Sequence, residues 1–459
     1  MNSAQAEPFR PQLRAGIAFG PPLWNNGRRV YYVKDAGTQW FYRIGEKEHF
    51  LLSRMDGSRT LPEIEAEYSQ AFHRRLQPAS WLQIFALLHK RHLLDGDDDT
   101  LAELKRKALV QREAERRIFH KQRLVLFSPD QMLTRMLPWL SFVYTPAFVG
   151  SALLAILAFE AFVIAQAPSL FTEVKHDIAG YSSIFFIVSI VLLAWIFTLA
   201  HEFAHGLTCK YFGGSVSEIG LMRNGIYFLP YCKIDDALLF HNRWHRVFTA
   251  LAGVFVNMLM LLPFAFLWWL SSNKNGLLSS LASTHRVFLQ FIQMLCAFML
   301  LFFQVKILLN LAPFFNADGN LALSYMLDRI SIHKDAQLFW SQLLGIKRRS
   351  KDTFDEQKGD RKFYILYGIS CIIFVIALSV LIASLCFILV RAWLGPVSAW
   401  YLLPVIIVWL AASNPIASAG IQKLLSTRKE QPTGKATRPA SASEKEQNDH
   451  TYENATSNV

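Results

Sequence analysis

Five consecutive residues, His201-Glu202-Phe203-Ala204-His205, form an HExxH signature. Residues four apart lie on one face of an α-helix, so the two imidazoles can bind a single Zn²⁺ ion while the adjacent carboxylate reaches the attacking water. The pattern therefore predicts metal-assisted hydrolysis, with His201 and His205 as zinc ligands and Glu202 as the general base.

The signature lies near the end of an apolar run, residues 184–207, that is long enough to cross a bilayer. Two histidines and a glutamate placed in lipid are costly unless something compensates them. In a soluble helix an isolated HExxH is often chance or core packing, but this setting favours a metal site. We therefore expect a protease that works at or inside the membrane.

A catalytic zinc also needs a third protein ligand and an open coordination position. Asp318 is the best candidate, because Pro313 should break the preceding span and Gly319 permits a tight turn that brings the carboxylate back towards the metal. Two alternatives remain open. Asp318 could instead cap the helix that begins near Asn320, and Cys209 could be the ligand, although three ligands on one straight helix spread over about 12 Å.

Other polar residues of the apolar runs have less specific patterns. Gly253 and Asn257 are four apart and can form a notch with one amide donor near the substrate carbonyl, or can simply serve helix packing. His241 and His245 repeat the four-residue spacing without a glutamate between them. We interpret these two histidines as interfacial side chains.

Three further polar residues, Glu160, Gln304 and Lys306, fall inside apolar runs. We expect Gln304 and Lys306 to point into the bundle interior or to extend towards the membrane edge, and Glu160 to reach the opposite interface. No catalytic role is assigned to them.

The composition indicates a polytopic membrane protein, with 459 residues, 52% hydrophobic content and a mean hydropathy of +0.23. Its fold class is therefore predicted as all-α with about six transmembrane helices, preceded by a small α+β domain. The net charge of +12 is concentrated in the N-terminal segment and in alternate loops. That distribution follows the positive-inside rule, so the bilayer is the expected partner and nucleic acid is not.

The apolar runs fix the expected topology, and they lie near residues 137–165, 184–207, 247–270, 287–312, 363–390 and 399–422. No signal peptide is expected in residues 1–20, and both termini are predicted to be cytosolic. The ends of spans two and four then face the same side, which brings together residues about 110 positions apart. The five cysteines lack CxxC spacing, and no disulfide is expected.

The remaining chain divides into segments of different composition. Strands are predicted at 30–33 and 40–44, helices at 48–55, 60–72, 80–91 and 101–123, and a hairpin at 215–231 with Asn-Gly at its turn. That hairpin either offers an edge to an extended peptide or is a buried loop. The predicted domains are a polar segment (1–21), an α+β module (22–98), a charged helical linker (99–136), a six-span domain (137–425) and a disordered cytosolic tail (426–459).

Three motifs together, HEFAH, Gly253 to Asn257 and Asn310 to Gly319, resemble the site-2 protease family of intramembrane zinc metalloproteases. The resemblance covers residues 185–325. It implies His201, His205 and Asp318 as zinc ligands, Glu202 as base, and Asn257 and Asn310 as supporting polar residues. The family's Asn-Pro-Asp-Gly core is stretched here, with no proline immediately before Asp318.

The N-terminal module, with the segments Trp40 to Gly45 and Met55 to Thr60, resembles PqqD-like winged-helix domains that bind leader peptides. The whole layout, including Leu126 to Asp130, is similar to peptide zinc metalloproteases linked with peptide maturation or with HlyD-type adaptor and efflux systems. The similarity implies a bacterial inner-membrane protein whose front module recruits a peptide for cleavage.

Three functions are compatible with these patterns. The first is zinc-dependent endoproteolysis of a peptide or membrane-associated protein. The second is a non-catalytic membrane receptor or assembly factor of an export system, in which zinc is structural. A metal transporter is the least favoured function, because most spans are cleanly apolar.

Overall fold

The computed structural model describes residues 9–25, 27–91, 93–95, 123–177, 184–224, 227–272, 286–315, 317–343 and 361–394. The predicted helix at 101–123, apart from Arg123, lies outside these residues, as do the sixth apolar run and the 426–459 tail. The described chain forms a small N-terminal α+β module and a set of long apolar helices, so the chain is a helical membrane protein.

The N-terminal module is built on an antiparallel sheet whose long central strand is β3 (Arg28–Asp35). Strand β4 (Trp40–Gly45) pairs with one side of β3. The short strands β1 (Ile17–Phe19) and β2 (Leu23–Asn25) pair one after the other with its opposite side. The strands predicted at 30–33 and 40–44 are therefore confirmed.

Three helices cover one face of this sheet. They are α1 (Glu46–Leu52), α2 (Leu61–Phe72) and α3 (Pro78–Lys90). The predicted capping box starts α2, where the Thr60 N–H donates to Glu63 Oε2 at 2.7 Å. Strand and helix residues share one apolar core, whose buried members include Val33, Ile44, Leu52, Ile64 and Leu88.

Two predicted boundaries were wrong. The segment 1–21 contains β1, which pairs with β3, so the module begins before residue 22. The linker 99–136 contains strand β5 (Arg123–Phe127) and most of helix α4 (Asp130–Leu140). Strand β1 has three residues, too few to show an alternation of apolar and polar residues, and four of the five residues of β5 are apolar, so neither has the pattern of a half-buried strand.

Five described helices contain segments long and apolar enough to span a membrane. After a short 3₁₀ turn, α5 (Pro146–Asp177) begins nine residues later than the first predicted run. The others are α6 (Ile184–Tyr211), α7 (Arg243–Ser272), α8 (Arg286–Leu311) and α11 (Arg361–Leu394). Two shorter helices, α9 (Asp318–Met326) and α10 (Ile332–Leu343), lie between α8 and α11.

The predicted hairpin is confirmed, as strands β6 (Glu218–Asn224) and β7 (Tyr227–Lys233) between α6 and α7. Strand β5 pairs with the other side of β6, so the sheet order is β5-β6-β7. The edge of β6 that faces away from β7 is therefore occupied by β5 of the same chain. Within this sheet, β7 and β5 are the edge strands.

Helix α7 is the centre of the bundle, because α6, α8 and α9 all pack along it. Helices α6 and α8 make few contacts with each other. The bundle core contains large aromatic and sulfur-bearing side chains, including Phe197, Leu261, Trp268, Met294 and Phe303. This arrangement places α6 and the end of α8 on neighbouring faces of α7.

The N-terminal module is attached to the bundle by apolar contacts and by backbone hydrogen bonds. Leu23 and Tyr32 are buried among bundle residues Leu238, Val247, Ala250, Ala322 and Tyr325. The Trp24 N–H donates to the Asp328 carbonyl at 2.8 Å, and the Ile330 N–H donates to the Trp24 carbonyl at 3.0 Å. The module is thus packed against the segment that includes α9.

A buried ion pair reinforces the contact between module and bundle. Lys34 of β3 is 7% exposed, and its Nζ lies 2.6 Å and 2.7 Å from the two carboxylate oxygens of Asp236. The same carboxylate accepts from the Ser215 N–H at 2.7 Å. Breaking a buried pair leaves an uncompensated charge, which costs far more than loss of an exposed pair.

We predict that Lys34→Met weakens the attachment of the module by about 3 kcal/mol, because Asp236 keeps its burial and loses its cation. Thermal unfolding and protease sensitivity of the purified protein measure the effect. The matched control is Arg29→Met, whose pair with Glu46 is about half exposed and is expected to contribute less than about 1 kcal/mol. Equal shifts for both variants would contradict the assigned role of Lys34.

Candidate metal centre

Helix α6 carries His201 and His205 one turn apart, and both side chains are buried. The Nε2 atoms of the two rings lie 3.1 Å apart. Four-residue spacing on an unbroken helix is what makes this approach possible. The imidazoles therefore face the same point between α6 and α7.

Asp318 reaches that point from the start of α9. Helix α8 ends at Leu311, before Pro313, and the chain turns back so tightly that a Cβ on Gly319 would lie 2.0 Å from the Leu311 carbonyl oxygen. Asp318 is the first residue of α9, and its side chain is buried against the histidines. Its Oδ2 lies 2.9 Å from His201 Nε2 and 3.5 Å from His205 Nε2.

The donor set fits a metal ion. One ligand atom from each of His201, His205 and Asp318 lies within 4.8 Å of the others. In a tetrahedral site with metal bonds of about 2.0–2.1 Å, neighbouring ligand atoms are about 3.3 Å apart. The three ligand atoms here are 2.9 Å, 3.1 Å and 3.5 Å apart, which is within about 0.4 Å of that value. This buried group can therefore bind a metal ion.

The outer nitrogens of the two rings have partners on α7. His205 Nδ1 lies 2.7 Å from the Thr249 carbonyl oxygen, which can only accept, so Nδ1 carries the proton and Nε2 is left for a metal. His201 Nδ1 lies 3.1 Å from Asn257 Nδ2, while Asn257 Oδ1 is buried without a hydrogen bond. Turning this amide by 180° lets Oδ1 accept from a protonated His201 Nδ1, which leaves Nε2 for a metal.

The third ligand is oriented in a similar way. Asn310, near the end of α8, donates from Nδ2 to Asp318 Oδ2 at 2.8 Å, and the same nitrogen lies 3.5 Å from His201 Nε2. Asn257 and Asn310 thus contact the metal-binding side chains themselves. Their predicted role beside a substrate carbonyl stays a prediction.

Gly253 leaves the space that His201 occupies. A Cβ at this position would lie 2.4–2.5 Å from three atoms of the imidazole ring. Thr249, Gly253 and Asn257 follow each other at four-residue spacing, so one face of α7 forms the wall behind both histidines. The sequence analysis missed Thr249, because its contact with His205 uses a backbone carbonyl, which every residue possesses.

Glu202 is held by the hairpin next to α6. The Cys232 backbone N–H donates to Glu202 Oε2 at 2.9 Å. Residues two apart on a strand point their backbone groups to the same side. The N–H of Cys232 and the ring nitrogen of Pro230 therefore both lie on the edge of β7 that faces away from β6. The outer edge of β7 therefore leads to the predicted base.

Asp318 remains anionic in this environment. Burial raises the pKa of its carboxyl, but attraction to His205 and hydrogen bonds to both imidazoles outweigh burial, and the pKa lies well below its usual range. A negative carboxylate is the form that binds metal.

The alternative ligands lie elsewhere. Cys209 is buried beside Gly214 and packs with Leu133 and Val216, outside the metal-binding group. His245 stacks on Phe212, and His241 is exposed. The alternative in which Asp318 caps a helix is also not observed, because Ala317 occupies the cap position.

Helix α11 supports the turn before Asp318, which the sequence analysis did not anticipate. Asn320 Nδ2 donates to the Pro313 carbonyl at 2.7 Å, and the Tyr367 hydroxyl donates to the same oxygen at 2.8 Å. The Asn320 amide also lies 2.8 Å from that hydroxyl. No sequence spacing links Tyr367 with a residue 54 positions earlier.

The fold and site together define a helical membrane protein with a buried His-His-Asp metal-binding group. Comparison of the chain with protein-family models, curated proteins and solved structures finds no match. The residues of the site are therefore the basis on which a function can be proposed.

We predict that Gly253→Ala lowers metal affinity by at least about tenfold, because the added methyl group displaces the His201 ring from its ligand position. Elemental analysis of the purified protein, with titration against a competing chelator, measures this. Gly150→Ala is the matched control, since nothing lies within 4 Å of the Cβ it would add to α5. Full metal retention by Gly253→Ala would exclude His201 as a ligand.

Proposed function

We propose that this chain is a zinc-dependent endopeptidase that cleaves a peptide or a membrane-associated protein at or within the membrane. The observation that carries this proposal is the meeting of Asp318 with both histidines beside Glu202, across a gap of more than a hundred residues in the sequence. A structural zinc site is usually closed by four protein ligands, whereas three ligands leave a position open for chemistry.

Two imidazoles and one carboxylate suit zinc, which prefers nitrogen and sulfur donors and accepts carboxylate oxygen. Such an ion would polarise the peptide carbonyl and lower the pKa of a water molecule, so that the water can give up a proton and attack at neutral pH. Thr249 and Asn257 keep the two rings oriented, and Asn310 keeps the Asp318 carboxylate in place. These contacts restrict the ligands to one geometry.

Glu202 takes the proton from the attacking water and later delivers a proton to the leaving amine. The Cys232 N–H fixes Oε2 and so fixes the orientation of the carboxylate. Oε1 is then the oxygen that exchanges protons in this proposal. The role needs a carboxylate on the same helical turn as the ligands, which Glu202 provides.

The substrate is held in an extended form along the outer edge of β7. Strand β5 already fills the β6 edge, so within the described sheet the edge that leads to Glu202 belongs to β7. Pro230 removes one donor from this edge and discourages pairing along its full length. Phe228, on the same strand, is exposed and can contact an incoming chain.

The N-terminal module recruits the peptide in this proposal, in line with its resemblance to PqqD-like domains. Strand β4 pairs with β3 on one side and leaves its other side as an edge. A small apolar cavity of about 30 Å³ lies beside it, lined by residues that include Ile44, Ile84 and Leu88. We place the protein in a bacterial inner membrane with its termini in the cytosol, where an HlyD-type export system receives the product.

We predict that Glu202→Gln retains zinc but lowers peptide cleavage by at least about 10²-fold, since an amide cannot act as the base. Wild-type and variant protein in zinc-containing liposomes are incubated with a peptide mixture, and products are measured by mass spectrometry. Glu218→Gln is the control, because Glu218 lies on β6 and bonds Tyr231. Wild-type cleavage by Glu202→Gln would contradict this role of Glu202, whereas absence of cleavage by the zinc-loaded wild-type protein would favour a non-catalytic receptor with structural zinc.

We predict that Cys232→Pro slows cleavage by about tenfold at unchanged zinc content, because proline removes the N–H that orients Glu202. Cys232→Ala is the matched control, since it deletes the thiol and keeps the N–H. Pro230 on the same edge indicates that proline is tolerated there. The turnover number should fall while the Michaelis constant changes little. Equal rates for the two variants would rule out orientation by this amide.

A further inference from the structure

Lys306 is a cationic side chain inside the bundle that the proposed chemistry does not use. It precedes Asn310 by four residues on α8, so it lies on the same face one turn further from the end of the span. Its Nζ donates to Thr198 Oγ1 at 2.9 Å, and Thr198 precedes His201 by three residues on α6. The ammonium therefore lies between α6 and α8, about one turn from the metal-binding group.

The side chain extends across the bundle and not towards the membrane edge. It bonds α6 and lies 5.2 Å from the centre of the Phe303 ring on its own helix. Of the two sequence expectations for Lys306, the interior position is the one observed. Glu160, which was predicted to reach the opposite interface, accepts a hydrogen bond from Gln304 at 2.7 Å.

The charges of the site leave Lys306 without a local counter-ion once a metal is bound. Among the described residues, the carboxylates of Glu202 and Asp318 are close enough to attract Lys306. A divalent ion at the histidines would balance those two carboxylates. The positive charge of Lys306 then remains, in an apolar setting where an uncompensated charge is costly.

We propose that Lys306 binds a carboxylate of the peptide substrate, about one helical turn from the bond that is cut. This inference rests on the proposed endopeptidase function. An ammonium has three donors, and Thr198 accepts from one of them. A substrate carboxylate would accept from another and would neutralise the site. The carboxylate belongs either to an acidic side chain or to the C-terminus of the peptide.

The position of Lys306 suits such a role because its ammonium bonds Thr198 of α6, about one helical turn from the metal-binding group. A peptide that reaches Glu202 and continues between α6 and α8 would meet the ammonium next. Charge-assisted hydrogen bonds in a desolvated site discriminate well between an acid and its neutral amide. Lys306 would thus select substrates by charge, while the metal-binding group performs the chemistry.

The test measures the binding of dansyl-labelled Leu/Ala octapeptides to zinc-loaded Glu202→Gln protein in neutral detergent, by fluorescence anisotropy. One peptide is neutral with an amidated C-terminus. A second set carries one Asp at each position in turn, and a third peptide has a free C-terminal carboxylate. We expect at least one acidic peptide to bind about tenfold more tightly than the neutral amide. A preference confined to the Asp set identifies a side-chain acid, and one confined to the free acid identifies the C-terminus.

Adding Lys306→Met should abolish this preference without changing the affinity for the neutral amide, whereas Lys306→Arg should keep it. Gln304→Met is the matched control, since Gln304 contacts Glu160 on α5 and should not alter the preference. Equal binding of all peptides, or a preference that survives Lys306→Met, overturns the proposal. The proposal is also overturned if Lys306→Met leaves peptide binding unchanged but removes an acidic lipid that copurifies with the protein, because Lys306 would then bind lipid.

The two proposals fail in different ways. If wild-type protein retains zinc and cleaves peptides but shows no preference for acids, the role of Lys306 is wrong and the endopeptidase function stands. If the zinc-loaded protein neither binds nor cleaves any of the peptides, both are wrong. Zinc content and thermal unfolding of every variant confirm that binding is compared between folded proteins.

Discussion

The structure depends on one costly contact, the burial of the Asp318 carboxylate against two imidazoles inside an apolar bundle. His201 and His205 come from α6, Asp318 comes from α9, and α7 lies between the two elements. Taking these groups out of water is unfavourable unless they compensate one another or share an ion. Gly253 and Gly319 serve this contact, because a side chain at either position would push a ligand away.

Much of the site could be predicted because its side chains follow helical spacing. His201, Glu202 and His205 follow from the α-helix alone, and Pro313 with Gly319 predicts the turn that returns Asp318 to them. The groups that orient these side chains were harder to predict from the sequence. The Cys232 N–H and the Thr249 carbonyl belong to the backbone, which every residue possesses, so only strand register and helix packing reveal them.

The fold shows the same division between local and non-local information. Long apolar runs and the Thr60 capping box predict helices from neighbouring residues, and five of the six runs and the capped helix are observed among the described residues. Strands β1, β2 and β5 are short, and their own residues do not reveal the strands with which they pair. The partner of β5 is β6, which is distant in the sequence. Lys34 resembles a surface lysine in the sequence, because the Asp236 that accompanies its burial lies 202 residues away.

The attachment of the N-terminal module matters for the site because both involve α9. This helix has nine residues, with Asp318 at its start and Tyr325, which packs near Leu23 and Tyr32 of the module, close to its end. The backbone of Trp24 then bonds both Asp328 and Ile330 just after the helix. A helix of two or three turns moves largely as one unit, so the position of Asp318 depends on the packing of the module as well as on α7. The module is in this sense part of the framework that holds the third ligand, and not an appendage joined only by a linker.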